Sequence, residues 1–259
     1  DGIVMAQELG ARLWHMWHYH GSYGFQHPDY PYAIRMKRLP DWIPGREATA
    51  VVQMTWIVVD KYGKRYMNEN PPYMQDTSHR PMEHFDPVTQ DFPRIPSWVI
   101  FDEVGRRRYR IGSPTRNDPD ASYDWSQDNM QEIESGLLKK AESVAELAAI
   151  IDADPAVLQA TLDRWNQLCA TKKDVDFGRP PGTMMKIQRA PFYAGQVWPV
   201  VSNTQGGPVH DRRQRVLNPF GEPIAGLYAA GELGSVFGHI YLAGGNLAEA
   251  ESLARAAVA

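Results

Sequence analysis

The residues best suited to chemistry lie near the end of the chain. Gly226-Leu-Tyr-Ala-Ala-Gly-Glu232 is followed by a loop carrying His239, Tyr241, Gly244 and Gly245, and then by Asn246. The apolar stretch Leu227–Ala230 reads as a buried strand. Gly231, Gly234, Gly238, Gly244 and Gly245 remove side chains where a flat ligand could meet the backbone. Asn246 stands where a helix N-cap is expected, with Leu247, Leu253 and alanines as the buried stripe of the helix. The positive end of such a helix, with its free N–H groups, suits an electron-rich acceptor group. An ordinary strand, glycine loop and helix from any α/β domain would carry the same spacing.

Other reactive residue types are less organised. His15, His18, His20 and His27 crowd an aromatic stretch, but their spacing fits neither one helical face nor a standard zinc site, so no metal is expected. One of them, His20 or His27, is expected to hydrogen-bond to ligand. Cys169 is the single cysteine, which excludes an intrachain disulfide, and it falls on an apolar helical stripe as a structural thiol.

The elements that would position these groups can be read locally. Asp1 caps a helix that runs to Gly10 and Ala11. Thr49–Asp60 reads as a strand, turned at Tyr62-Gly63-Lys64 and followed by Arg65-Tyr-Met-Asn-Glu69. Trp98–Asp102 is a short buried strand ahead of the basic run Arg106-Arg107-Arg108. Ser143 and Glu146 form a capping box for a helix burying Val144, Leu147 and Ile151. Asp154 caps the next helix, with Pro155 in its first turn and Leu158, Leu162, Trp165 and Cys169 on one face. Asn218-Pro-Phe-Gly221 is a reverse turn.

The totals narrow the class. The chain has 259 residues, 43% hydrophobic and 22% charged, as a globular protein does. A net charge of −4 argues against capture of nucleic acid. No apolar run approaches the roughly 18 to 20 residues of a membrane span, and a cytoplasmic location is expected. No Gly-x-Gly-x-x-Gly sits between a strand and a helix, so the dinucleotide-binding half of a nucleotide-binding fold is expected outside this sequence.

The C-terminal run as a whole resembles the flavin-contacting segment of the FAD-dependent fumarate reductase and 3-ketosteroid dehydrogenase superfamily. Asp1-Gly-Ile-Val-Met-Ala6, the Arg65–Glu69 hairpin, Asp154–Cys169, Asp174–Pro180 and Ala190–Ala194 resemble further segments of that family, so the likeness spreads over essentially the whole chain. It implies an α/β and α+β fold: the C-terminal part of a Rossmann-like FAD-binding domain with an inserted α+β capping domain, the N-terminal dinucleotide-binding half being supplied elsewhere. The implied divisions are 1–45 and 200–259 for the FAD-binding domain and 46–199 for the cap. FAD is the implied cofactor. Its implied contacts are Asp1, Gly231, Glu232 on the ribityl chain, Gly244, and the backbone at Asn246 and Leu247 on the flavin O2/N1 edge.

Two chemistries divide the family. The fumarate reductases clamp a dicarboxylate with arginines and a histidine, and the matching positions here hold Val52, Leu242, and Ser202 with Asn203. Two substrate carboxylates without paired cations would be costly to bury. The steroid enzymes hold a ketone through a tyrosine and a glycine, which fall on Tyr241 and Gly245. Leu242 and Gly244 replace the two prolines of that loop, and Glu232 follows the fumarate reductase pattern. The implied activity is oxidation or reduction of a carbon–carbon bond beside a carbonyl, on an apolar steroid-like or enone substrate. A carboxylate substrate and a non-catalytic binding module are the alternatives. His239 joins the site through its loop. A capping-domain tyrosine, Tyr109, is the implied proton-transfer group, its phenol shifted down from about 10 by the adjacent arginines; Tyr193 and Tyr66 are weaker candidates. The expected partners are a small-molecule substrate and the missing FAD-binding half, on the same protein or a separate chain.

Overall fold

The computed structural model describes residues 1–17, 19–40, 53–71, 78–238, 241 and 244–257. The chain divides into two compact units. The first takes Asp1–Gly21 and Val201–Ala259, and the second takes Ser22–Met74 and Ser78–Val200.

In chain order, the elements begin with α1 (Gly2–Glu8), β1 (Leu13–Trp14), β2 (Tyr19–Gln26), β3 (Ala33–Arg35), β4 (Trp56–Val59) and β5 (Ser97–Asp102). There follow α2 (Glu103–Arg106), β6 (Thr115–Asp118), β7 (Ala121–Tyr123), α3 (Met130–Glu134), β8 (Leu138–Ala141), α4 (Val144–Ile150) and α5 (Pro155–Thr171). The long β9 (Phe192–Thr204) leads to β10 (Gly207–Pro208), β11 (Arg215–Leu217), β12 (Pro223–Tyr228) and α6 (Gly245–Ala257).

The second unit is a sheet in the order β3-β2-β9-β5-β4, with β8 also on β9. β5 pairs antiparallel with β4 and with β9, so it is central and apolar on both faces. Val99 and Phe101 join one core with Tyr23, Phe25 and Trp125, while Ile100 joins another with Leu158, Leu162 and Trp165. The helices over that second face start where local chemistry puts them. Ser143 accepts from Glu146 N at 3.1 Å, Glu146 returns a bond to Glu142 N, and Asp154 accepts from Ala156 N at 2.7 Å. Leu158 and Leu162 are fully buried, each contributing about 1.5–3 kcal/mol. Leu168 holds the buried position at the end of the stripe, and Cys169 is half-buried.

The hairpin after β4 differs from expectation. Arg65 makes one bridge to Val59, and no strand extends over 66–71. The segment is held by charge instead of by a ladder. Arg65 forks onto Glu69 at 2.9 and 2.8 Å and reaches Asp174 at 2.8 Å. Arg179 meets Glu69 at 3.2 Å and also donates to the carbonyls of Met54, Trp56 and Thr183. Both guanidinium groups lie on the Trp165 ring, 4.6 and 4.8 Å from its centroid. Burial would raise the Glu69 carboxyl, but the Arg65 fork and the Arg179 charge hold it below the usual carboxylate range.

The first unit has small sheets, β1 with β10 and β11 with β12. β12 was expected to be buried, yet Tyr228 is 50% exposed and Leu227 only half-buried. Among the described strands β11 and β12 pair only with each other. The stripe expected on α6 also differs, because Leu247 is 78% exposed and Glu249 occupies a buried position. Among the described residues, no helix is long and apolar enough to cross a membrane.

Candidate functional site

Within the first unit, the glycine loop after β12 is fastened from three sides. The Gly234 carbonyl accepts from Trp14 Nε1 at 3.0 Å and from His210 Nε2 at 3.0 Å. Ser235 O accepts from His15 Nδ1 at 2.9 Å. Trp14 itself stacks on His15 and meets His210 edge-on, which locks the three rings together. From α6, Glu249 accepts from Ser235 Oγ at 2.5 Å and from Val236 N at 2.8 Å.

Two glycines let these pieces approach. A Cβ on Gly234 would stand 2.4 Å from the Pro208 carbonyl oxygen, and one on Gly231 would stand 2.8 Å from the Ala250 Cβ. Both residues have positive φ, +79° and +84°, which disfavours any other residue there. The segment is thus a tight backbone layer over α6.

The helix starts two residues earlier than expected. Ala248 N bonds to Gly244 O, so Gly244 supplies the first carbonyl and Asn246 lies inside the first turn, not at the N-cap. The positive φ of Gly244, +72°, lets the chain enter the helix there. The Asn246 side chain accepts from Gln205 Nε2 at 3.2 Å. Gln205 is fully buried, and its Oε1 has no hydrogen-bond partner among the described residues. The same is true of both amide atoms of Asn203, two residues earlier.

Of the residues named from sequence, the first unit holds Asp1, Gly231, Glu232, Tyr241, Gly244, Gly245, Asn246 and Leu247. Asp1 starts α1 through its carbonyl, which accepts from Met5 N, and makes no side-chain cap. Gly2 beside it packs on Leu233 of the glycine loop. Glu232 is exposed, its carbonyl closing a turn to Ser235 N. The Tyr241 ring lies 5.6 Å from that of His20. His239, like His18, Val52 and Leu242, lies outside the described residues. His27 faces Tyr123 in the second unit and accepts from Asp29 N.

Tyr109 requires a correction. It belongs to the second unit and is buried, donating to Arg38 O at 2.6 Å and accepting from Thr55 N. Burial raises its pKa, the reverse of the expected lowering. The neighbouring arginines do not act on it: Arg106 and Arg107 engage Glu103, and Arg108 reaches Met185. A phenol so held is a poor proton acceptor. Tyr193 donates to Glu103 at 2.7 Å and is pushed up to about 12, by burial first and then by that carboxylate. Tyr66 bonds to Ser97 Oγ and is raised by burial.

A family model for the FAD binding domain matches residues 38–247. The chain belongs to this FAD-binding family. Its cofactor is FAD. The FAD-binding chain is 32% identical to a 3-oxosteroid 1-dehydrogenase of Mycolicibacterium smegmatis, over 93% of this chain and 42% of the relative. It is 25% identical to a probable fumarate reductase, Ifc3, of Shewanella frigidimarina, over 96% of this chain and 36% of that protein. The chain therefore spans about two fifths of the length of the curated relatives it matches. Its fold matches the 3-ketosteroid Δ1-dehydrogenase of Sterolibacterium denitrificans with a TM-score of 0.72, at 24% identity, covering 99% of this chain and 45% of that one.

The FAD-binding chain has features that fit a flavin. The first-turn N–H groups of α6 lack intrahelical partners by geometry, and a negatively polarised ring edge would satisfy them. A Cβ added at Gly244 would meet nothing within 4 Å, so the approach to the helix start is open there, and the orphaned Gln205 and Asn203 amide atoms need polar partners.

Sequence reasoning missed Trp14, His210, Gln205 and Glu249. Only Glu249 carried a local signal, a carboxylate on the face of α6 where an apolar residue belongs.

Proposed function

We propose that this chain, completed by a nucleotide-binding half on the same protein or a separate chain, forms an FAD-dependent dehydrogenase or reductase. Its reaction is oxidation or reduction of a carbon–carbon bond beside a carbonyl, on an uncharged, apolar, steroid-like or enone substrate. FAD, when bound, supplies the hydride acceptor or donor. The chain's own part is to hold that ring and to polarise the carbonyl.

The observation that carries the reading is the placement of Tyr241 just before α6, three residues from the Gly244 carbonyl that opens the helix. In this reading the Tyr241 hydroxyl and the Gly245 N–H take the substrate carbonyl oxygen. Stabilising the negative charge that grows on that oxygen acidifies the adjacent C–H. The cations that would bind a dicarboxylate are replaced by Val52, Leu242, Ser202 and Asn203, which favours a ketone. The Sterolibacterium structure of like fold holds 1,4-androstadiene-3,17-dione, a ligand of the proposed class. His239 stays a proposed loop contact to substrate. Asp1, Gly231, Glu232, Gly244, Asn246 and Leu247 stay proposed flavin contacts.

The second unit serves as the substrate cap in this reading, and the first unit as the C-terminal part of the FAD-binding domain. The nucleotide-binding half would cover the apolar side chains of the first unit that stand open, Tyr228 and Leu247 among them. The test is Tyr241→Phe in the complete flavoprotein. Turnover of a 3-keto steroid should fall by about 100-fold or more with flavin content unchanged. Unchanged turnover would remove the carbonyl clamp, and turnover of fumarate by the native protein would overturn the substrate class.

A further inference from the structure

Among the described residues, four buried amide atoms of the first unit have no partner: Gln214 Oε1, and three on the short run at the end of β9. Gln205 is fully buried, donates Nε2 to Asn246 Oδ1 at 3.2 Å, and leaves Oε1 without a partner. Asn203, near the end of β9, leaves both Oδ1 and Nδ2 buried and without a partner. A buried polar atom with no hydrogen bond costs about 1–3 kcal/mol, so the three on the Asn203–Gln205 run signal a missing polar group.

The chemistry of that group follows from where Gln205 is tied. Its bond to Asn246 places its amide at the first turn of α6, where the backbone offers only N–H donors. The flavin pyrimidine edge is not a uniform acceptor: between its two carbonyls stands N3–H, a donor. A helix start can satisfy a carbonyl but cannot accept from N3–H. An acceptor beside the helix start is required, and Gln205 Oε1 is a buried one. Asn203 adds a donor and a second acceptor on the same extended run, matching a carbonyl next to N3–H.

We infer that Gln205 accepts from flavin N3–H and that Asn203 completes the polar wall of the pyrimidine edge, so this amide pair selects the ring's protonation pattern and orientation. The inference rests on the proposed placement of the flavin at α6.

The test compares FAD with 3-methyl-FAD, whose N3 carries no hydrogen, by titrating the apo form of the complete protein and reading flavin fluorescence quenching. The wild type should bind 3-methyl-FAD about 10-fold or more weakly, the factor expected for loss of one buried hydrogen bond. In Gln205→Leu the affinity for FAD should fall by a similar factor and the preference over the methyl analogue should collapse. Gln205→Glu keeps an acceptor and should keep the preference. Equal binding of the two flavins by the wild type, which needs no variant to fold, would overturn the inference. So would a preference that survives in Gln205→Leu. Failure of the wild type to bind FAD at all would instead overturn the placement of the flavin itself.

Discussion

Glu249 of α6 holds Ser235 of the glycine loop, accepting from its hydroxyl at 2.5 Å and from the next backbone N–H, that of Val236, at 2.8 Å. The carboxylate is 5% exposed. A bidentate acceptor of this kind ties the loop to the helix that follows it, so neither can shift without the other. Ser235 Oγ also accepts from Phe237 N, which extends the tie along the loop.

Glu249→Ala should therefore leave the buried Ser235 hydroxyl and the partly buried Val236 N–H without their acceptor and loosen the loop, at a cost of about 1–3 kcal/mol in local stability. The expected outcome is a loss of FAD affinity larger than any change in the second unit, read by flavin titration alongside hydrogen exchange at Val236. Glu249→Gln should recover part of the affinity because one acceptor remains. Wild-type exchange at Val236 in Glu249→Ala would show that the loop does not depend on this tie.

The second unit depends on a different buried carboxylate. Glu69 is shared by Arg65 and Arg179, and Arg65 is shared with Asp174. Glu69→Gln leaves two guanidinium groups facing a neutral partner in a site without solvent, and should cost about 3–5 kcal/mol. The midpoint of urea unfolding should fall accordingly, while FAD affinity per folded molecule stays near wild type. A loss below about 1 kcal/mol would mean that the arginines are held by Asp174 and the backbone carbonyls alone.

Glu103 contributes a pH dependence of its own. Its hydrogen bond from Arg106, with help from Tyr193 and Arg107, lowers its pKa from the ordinary 4.5 to about 2. A carboxyl with a depressed folded pKa stabilises the protein above its unfolded value, and that contribution is lost as pH falls through the folded one. The melting-temperature difference between wild type and Glu103→Gln should thus be full above about pH 5 and shrink between pH 4.5 and pH 2. A difference independent of pH over that range would show that the Arg106 pair contributes nothing. The group is partly solvated, so the effect at high salt should be smaller.

Sequence alone determined the elements whose causes are local. α4 and α5 begin where Ser143 and Asp154 cap them, because a cap and an i, i+4 stripe involve residues within one or two turns. The turn at Asn218–Gly221 is equally local: Asn218 Oδ1 accepts from Phe220 N and Glu222 N, and Gly221 takes φ +84°. The membership in an FAD-binding family was also legible, because its motifs are short runs of identity spread along the chain.

Tertiary structure decided what depends on partners far apart in sequence. Tyr109 looked like a cation-activated phenol, yet its hydroxyl donates to the backbone carbonyl of Arg38, 71 residues away, and burial raises its pKa. Arg179 carries no local signal of its role, yet it reaches carbonyls 123 and 125 residues away. Gln205 carries no recognisable spacing, and Glu249 only the oddity of a carboxylate on an apolar helix face, since the partners of each are brought to it only by folding. A side chain's charge state and hydrogen bonds are set by what surrounds it in space, and periodicity along the chain reports only its nearest turns.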